Sequence, residues 1–396
     1  MTISSTGHSR QNKIPVFLSL GFRPFFMLAA LWALFAITLW TGMFLGHVNL
    51  PAALSPLDWH VHELLYGYLP AVIAGFLLTA VPNWTGRPPR KGMLLLSLVL
   101  VWIAGRAALL YALAMPQGFA AAIDLLFLPF LMAILGSEIV AAKNWRNLPI
   151  IGVLGIFFLG NAIFHVEAIL NGTASYGYGT RLGIAAAVLL VSLVGGRIVP
   201  NFTRNWLVKR PPGPMPTAFN SLDLSAMGIS IIALAAWTAF PERQETGWLC
   251  LLAGILQMAR LARWCGYRTL REPLVTILHI GYLFVAVGFL TVGTAILAPE
   301  IILPTAALHA WTVGAIGTMT LAVMVRASLG HTGQPLQATM PITLIFSTIV
   351  LAAVLRLNAG TILDTQWILM LASGFWILSF GLFVARIGPS LLVARK

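Results

Sequence analysis

Residues 93–114 read MLLLSLVLVWIAGRAALLYALA, and Arg106 is the only charged residue in this run. An α-helix needs about 20 consecutive apolar residues to cross the hydrocarbon core of a bilayer, so this stretch predicts a transmembrane helix. The same pattern recurs along the chain. It predicts twelve spans in all, at roughly 17–45, 59–81, 93–114, 121–141, 149–170, 179–199, 219–239, 246–266, 273–297, 304–328, 340–358 and 366–387.

The composition of the whole chain agrees with a membrane protein. Of its 396 residues, 59% are hydrophobic and only 9% are charged. A soluble protein of this size needs more polar surface than these residues provide, which excludes a soluble enzyme. We predict a single integral membrane domain over residues 1–396, with an all-α bundle of twelve helices at 17–387 between tails at 1–16 and 388–396.

The placement of the charges predicts the orientation. The chain has 24 basic and 11 acidic residues, a net charge of +13. Basic loops stay on the cytoplasmic side of a membrane, and the basic residues lie mainly in the terminal segments and in the connections after even-numbered spans. Both termini are therefore predicted to be cytoplasmic, with the lipid bilayer as partner. Nucleic acid is not expected, because these residues do not gather on one exposed face. Four basic residues lie elsewhere: Arg106, Arg181, Arg243 and Arg356.

The two cysteines do not predict a disulfide or a thiolate metal site. Cys250 and Cys265 lie in one apolar run, where a helix would place them about 22 Å apart at roughly 1.5 Å per residue. A disulfide needs Cα atoms within about 7 Å. The chain also has no Cys-x-x-Cys pair, so any metal must be held by histidine, carboxylate or methionine.

Four histidines share one predicted layer near the outer membrane boundary. Counting about 1.5 Å per residue, His60, His62 and His309 lie within about 8 Å of that boundary, and His165 lies at a similar depth near the end of span 5. Ionisable residues at membrane depth are costly and point to function. Neutral imidazole is a usual ligand of copper and heme iron. The layer predicts a metal or heme site, with hydrogen-bonded structural histidines as the alternative.

Helical spacing limits how these residues can cooperate. His60 and His62 are two positions apart and point about 200° away from each other, so they cannot both face one centre within a regular helix. Glu63 stands three residues after His60 and is expected to orient it. Glu167 is a second carboxylate near the layer. His279, nearer the cytoplasmic boundary, is a further candidate ligand.

Two other polar features fall within the predicted spans. Arg106 and Asp124 lie in the outer half of one hairpin, where they predict either an ion pair or, for Arg106, a partner for a heme propionate. Pro70 and Pro129 lie inside spans 2 and 4. Each removes a helix hydrogen bond and is expected to kink its helix.

Two similar five-residue segments suggest an internal repeat. Val81-Pro82-Asn83-Trp84-Thr85 ends span 2, and Val199-Pro200-Asn201-Phe202-Thr203 ends span 6, four helices later. A four-helix unit repeated three times would give twelve spans. The alternative is that Pro-Asn simply terminates helices at the membrane interface.

Longer motifs carry a family resemblance. Over residues 20–333 the sequence resembles the NnrS family. The motifs are Leu20-Gly21-Phe22-Arg23-Pro24-Phe25-Phe26, Trp59-His60-Val61-His62-Glu63, Gly75-Phe76-Leu77-Leu78-Thr79-Ala80-Val81-Pro82-Asn83-Trp84-Thr85-Gly86, Gly196-Arg197 with Pro200, His309-Ala310-Trp311-Thr312-Val313-Gly314, and Ser328-Leu329-Gly330-His331-Thr332-Gly333.

This resemblance implies a bacterial inner-membrane protein that carries heme, expected to be b-type, and copper, and that takes part in the response to nitric oxide, often alongside denitrification. It implies His60, His62, His309 and His331 as motif histidines, with Glu63 and Arg23 as partners. His165 and His279 are added from their depth. The four-helix repeat and the histidine layer also suggest a distant likeness to the catalytic subunit of heme-copper oxidases.

The sequence is consistent with three alternative functions. The preferred one is a heme and copper protein that binds nitric oxide or relieves iron-nitrosyl damage near the outer face. A twelve-helix secondary transporter is an alternative, and it predicts ionisable residues around a midplane cavity. A metal-free sensor or scaffold is the third. Because no chain of carboxylates or quinone pocket is visible, binding or protection is favoured over reductase turnover, and the electron donor is not identified.

Overall fold

The computed structural model describes residues 14–50, 52–359 and 365–394, and all regular structure in this part of the chain is helical. The rest of the two predicted tails, 1–13 and 395–396, lies outside the described residues. Twelve long helices are described, and they correspond in order to the twelve predicted spans: α1 Phe22–Phe44, α2 Pro56–Thr85, α3 Met93–Leu110, α4 Phe119–Ala141, α5 Leu148–Asn171, α6 Tyr178–Leu207, α7 Ser221–Ala239, α8 Gln244–Ala262, α9 Pro273–Leu297, α10 Pro304–Thr332, α11 Met340–Leu357 and α12 Thr365–Arg386.

Eleven of these described helices are long and apolar enough to cross a membrane, and α8 is the exception. It has the length of a span and packs along both α7 and α9. Gln257 and Arg260 lower its apolar character, but both side chains are buried and bond to Ser230 and Asp223 of α7. The chain is therefore a polytopic membrane helix bundle, as predicted, and α8 directs its polar groups into the bundle.

Two helices form the centre of the bundle. In the most apolar 18-residue stretch of each helix, 83% of α2 and 72% of α10 is buried inside the bundle. The corresponding share is 33–56% for the other nine apolar helices. They contact each other, and both contact α6. Helix α12 packs against α1, so the last long helix contacts the first. Helices α2, α6 and α10 are four apart along the chain. Their central placement supports the three-unit repeat, which stays a prediction.

The central helices are not regular throughout. Residues Glu63–Tyr68 of α2 and Ala310–Gly317 of α10 form π-helical segments. The segment in α2 ends just before Pro70, which cannot donate a backbone hydrogen bond, and α4 is interrupted at 125–126, four residues before Pro129. The two prolines predicted to kink their helices therefore coincide with irregular turns. Such π segments occur frequently at functional sites.

The two faces of the bundle carry different connections. The odd-loop face carries the connections after α1, α3, α5, α7, α9 and α11, and the even-loop face carries the others together with both ends of the chain. At the even-loop face, residues Gly388–Leu392 of the predicted tail form α13. The buried Arg23 donates from Nη1 to the carbonyls of Leu391 and Val393 at 2.9 and 2.7 Å, which attaches this helix to α1.

Candidate functional site

A cavity at the odd-loop end of the bundle brings His60 of α2 and His309 of α10 together. Its volume is about 180 Å³, and most of its lining is apolar. The polar side chains at its wall include both imidazoles and the guanidinium of Arg356. The exposed Tyr176 lies at its rim, so the cavity opens towards the odd-loop face. Two histidines from the two central helices thus face one largely apolar space.

The two imidazoles are held differently. His309 donates from Nδ1 to the carbonyl of Thr305 at 2.6 Å, which leaves Nε2 with a free lone pair. This arrangement is typical of metal-binding histidines, because the second ring nitrogen fixes the tautomer and the ring orientation. His60 packs on Trp40 with 4.3 Å between ring centroids, and its buried Nδ1 has no hydrogen-bond partner among the described residues. The donor set fits heme iron or copper.

Arg356 is a further residue of this site, in addition to those predicted from the sequence. It lies at the end of α11 and lines the cavity with the two histidines. Within the described residues, its guanidinium has no carboxylate and no hydrogen-bond acceptor. A cation beside an apolar cavity offers a partner for an anionic group of a bound ligand. The signal was present in the sequence, because Arg356 is one of the four basic residues outside the predicted cytoplasmic segments.

Asp58 holds the loop that borders the cavity, and it too was missed. Its Oδ1 accepts from the backbone N–H groups of Ala174 and Ser175 at 3.0 and 2.7 Å and from the hydroxyl of Ser175. Its Oδ2 accepts from the hydroxyl of Ser55 at the start of α2. Ser55 three residues before Asp58 is a helix-capping pattern, but the contact with the α5–α6 loop is not visible in a sequence.

A second cluster lies on the other side of α2. His62, Asp124 and His165 are all buried, and their ligand atoms lie within 4.8 Å of one another. Oδ2 of Asp124 lies 3.0 Å from Nε2 of His165 and 3.3 Å from Nε2 of His62. Asn161 joins them, donating to Asp124 at 2.8 Å and facing His62 through its amide oxygen. This triad can hold a metal ion.

Arg106 balances the charge of this cluster. Its guanidinium pairs with Asp124 through Nη2 and with Glu63 through Nη1, at 2.6 Å for the latter. Of the two interpretations of Arg106, the structure therefore shows the ion pair. Glu63 also contacts Nδ1 of His62 at 3.0 Å. The expectation that Glu63 orients His60 is not met, because its carboxylate is engaged by His62 and by Arg106 of α3.

His60 and His62 thus serve different sites. The first faces the cavity and the second faces the triad, as a spacing of two residues on a helix requires. The four histidines of the predicted layer divide into two pairs, one in each site. Both sites lie in the odd-loop half of the bundle and share α2 as their common wall.

The other predicted site residues lie apart from these two groups. Arg23 caps α13 at the even-loop face, and His331 packs beside Phe22 near the same face, with 5.4 Å between ring centroids. His279 bonds through Nε2 to Thr203 at 2.8 Å, away from both sites. Glu167 accepts from the first N–H groups of α6, so it caps that helix.

Both cysteines are free and buried. Cys265 lies in the connection between α8 and α9, outside the membrane spans. Burial raises the pKa of its thiol above the usual value, although the nearby Arg268 acts in the opposite direction. At neutral pH the thiol therefore stays protonated and does not offer a thiolate to a metal.

The comparison with known proteins agrees with the motifs. No curated protein matches the sequence. A family model described as NnrS protein matches residues 16–395, nearly the whole chain and including every residue of the cavity and of the triad. The protein is thus a member of the NnrS family.

Proposed function

We propose that this protein is a heme- and copper-binding protein of the bacterial inner membrane that acts in the response to nitric oxide and nitrosative stress. The observation that supports this function is the convergence of His60 and His309 on one largely apolar cavity. Imidazole is a usual heme ligand, and an apolar wall suits a macrocycle. The odd-loop face would be periplasmic, because the basic even-numbered connections stay in the cytoplasm.

The two cavity histidines have unequal roles in this proposal. A heme bound there supplies an iron that binds a neutral diatomic molecule. His309 would be the permanent ligand, because its hydrogen bond to the Thr305 carbonyl fixes the ring with Nε2 available. His60 would be the exchangeable neighbour, since Nδ1 is not anchored and the ring is held by packing on Trp40.

The triad of His62, Asp124 and His165 is the proposed copper site. Two imidazoles and a carboxylate form a donor set that copper accepts. Glu63 would orient His62 through Nδ1, while Arg106 offsets the charge of the two carboxylates. The two imidazoles already make hydrogen bonds within this network. A histidine must lose the proton from its ligating nitrogen before it binds a metal, so copper binding depends on that deprotonation.

The test is a visible spectrum of the purified protein in detergent, reduced and oxidised, with iron and copper measured on the same sample. The proposal predicts Soret and α bands, both metals, and a band shift when nitric oxide is added to the reduced protein. A featureless spectrum from well-folded protein would overturn it. That result would favour the secondary transporter or the metal-free scaffold.

Replacing Glu63 by Gln is expected to weaken copper retention. The amide keeps the size of the side chain but removes the charge that holds Nδ1 of His62. Loss of such an orienting partner typically lowers metal affinity about 10–100-fold. Copper per protein is measured after dialysis against a graded chelator. Glu167→Gln, in α5 with its carboxylate at the start of α6, is the matched control. Equal copper retention in the two variants would remove Glu63 from the site.

Replacing Arg356 by Gln is expected to weaken heme retention. We assign the Arg356 guanidinium to a heme carboxylate, because it faces the cavity without an acceptor among the described residues. A hydrogen bond to a charged group contributes about 1.5–3 kcal/mol. The measurement is the heme-to-protein ratio after transfer to apomyoglobin has been allowed to proceed. Arg356→Lys should restore part of the retention. An unchanged ratio in the Gln variant would contradict the assignment.

A further inference from the structure

A second cavity, the mid-membrane crevice, lies where α2, α6 and α10 meet. Its volume is about 70 Å³. The lining comes from the middle of each helix and is apolar apart from Thr320. That hydroxyl is engaged already: it lies 2.6 Å from the carbonyl of Ile316 and 2.8 Å from the hydroxyl of Tyr68. The crevice therefore offers no charge and no free polar group to a ligand.

The crevice adjoins the cavity that contains His60 and His309. Leu69 lines both spaces. Tyr68 lines the histidine cavity, and its hydroxyl reaches Thr320 at the wall of the crevice. The partition between them is thus formed by the side chains of neighbouring residues on α2 and by one residue of α10.

The other side of the crevice is not sealed. Its lining includes partly exposed side chains on all three helices, among them Phe76 of α2, Val194 of α6 and Val323 of α10. These residues lie near the middle of long membrane-spanning helices, where the surroundings of the bundle are hydrocarbon. A molecule that dissolves in the membrane interior can reach this opening directly.

We infer that the mid-membrane crevice is a binding site through which a small neutral diatomic molecule passes from the bilayer to the histidine cavity, by way of Leu69. Its size excludes a macrocycle, and its lining gives an anion nothing to bind. The destination rests on the proposed function, because only a metal in the histidine cavity would capture the molecule. The site itself does not depend on that metal.

Xenon tests the binding site without any cofactor, because apolar protein cavities of modest size bind it. The structure of the detergent-purified protein is determined under xenon pressure. We expect xenon in the crevice of the unmodified protein and its loss in Val194→Phe, which fills the space. Val166→Phe makes the same change at an exposed position of α5 and should leave xenon in place. A crevice without xenon in the unmodified protein would overturn the inference.

Ligand-binding rates test the passage. In the heme-loaded protein, carbon monoxide recombination after flash photolysis should slow about tenfold in Val194→Phe, a barrier increase of about 1.4 kcal/mol. Leu69→Ala should accelerate it. Val194→Phe should keep the visible spectrum of the unmodified protein, because Val194 does not line the histidine cavity. Unchanged rates in both variants would overturn the passage. If the protein binds xenon in the crevice but carries no heme, the proposed heme function fails and the gas-binding site stands.

Discussion

Replacing His309 by Ala is expected to abolish the heme bands of the purified protein. His309 is the cavity histidine whose ring is fixed by a hydrogen bond, from Nδ1 to the Thr305 carbonyl. No neighbouring imidazole of α10 can take its place, because the next histidine of that helix, His331, lies near the opposite face of the bundle beside Phe22. The visible spectrum and the iron content of the variant should both fall to background.

His60→Ala should behave differently. If His60 is the exchangeable neighbour, its loss leaves the anchored ligand in place, so the variant keeps heme, shows shifted bands and binds carbon monoxide faster. His47→Ala is the control, since His47 is exposed in the odd-loop connection after α1. Equal and complete loss of heme in both cavity variants would refute the unequal roles. Full retention of heme in His309→Ala would refute the site.

The depth of the four site histidines could be predicted from the sequence. Helix rise alone places His60, His62, His165 and His309 in one layer, because position along a straight helix depends only on residue number. The spacing of two residues also separates His60 from His62. The structure assigns them to two sites on opposite sides of α2.

The contacts between side chains of neighbouring helices could not be predicted in the same way. Glu63 was expected to orient His60, yet it bonds to His62 and to Arg106 of α3. Helical spacing does not specify which side chain of a neighbouring helix lies within reach. Arg356 reaches the cavity from α11, a helix that carries no recognised motif. The approach of α11 to α10 is a property of the packed bundle.

The residues of the motifs also have different roles, which the motifs themselves do not reveal. Arg23 stands in the first motif, and the resemblance implies it as a partner of the motif histidines. Its guanidinium instead binds the carbonyls at the end of α13. His331 ends the last motif and lies beside Phe22 of the first one. The two motifs therefore meet at the even-loop face, where they join the ends of the chain, while the central motif residues form the sites.

The second large effect is expected from Arg106→Met. Arg106 is buried and pairs with both Glu63 and Asp124. Removing one partner of a buried ion pair leaves uncompensated charge and costs about 3–5 kcal/mol. The thermal midpoint of the purified protein, followed by intrinsic fluorescence, should fall sharply. Arg243→Met removes the same charge at an exposed position in the connection between α7 and α8, and should change stability by less than about 0.5 kcal/mol.

A double variant separates the ion pair from other effects of the substitution. Adding Asp124→Asn to Arg106→Met removes one of the two stranded carboxylates, so part of the lost stability should return. The same change deletes a proposed copper ligand. Copper should therefore raise the melting temperature of the unmodified protein by mass action and have no such effect on the double variant. If Asp124→Asn makes the Arg106 variant still less stable, charge balance is not what Arg106 contributes. The buried network would then act through packing alone.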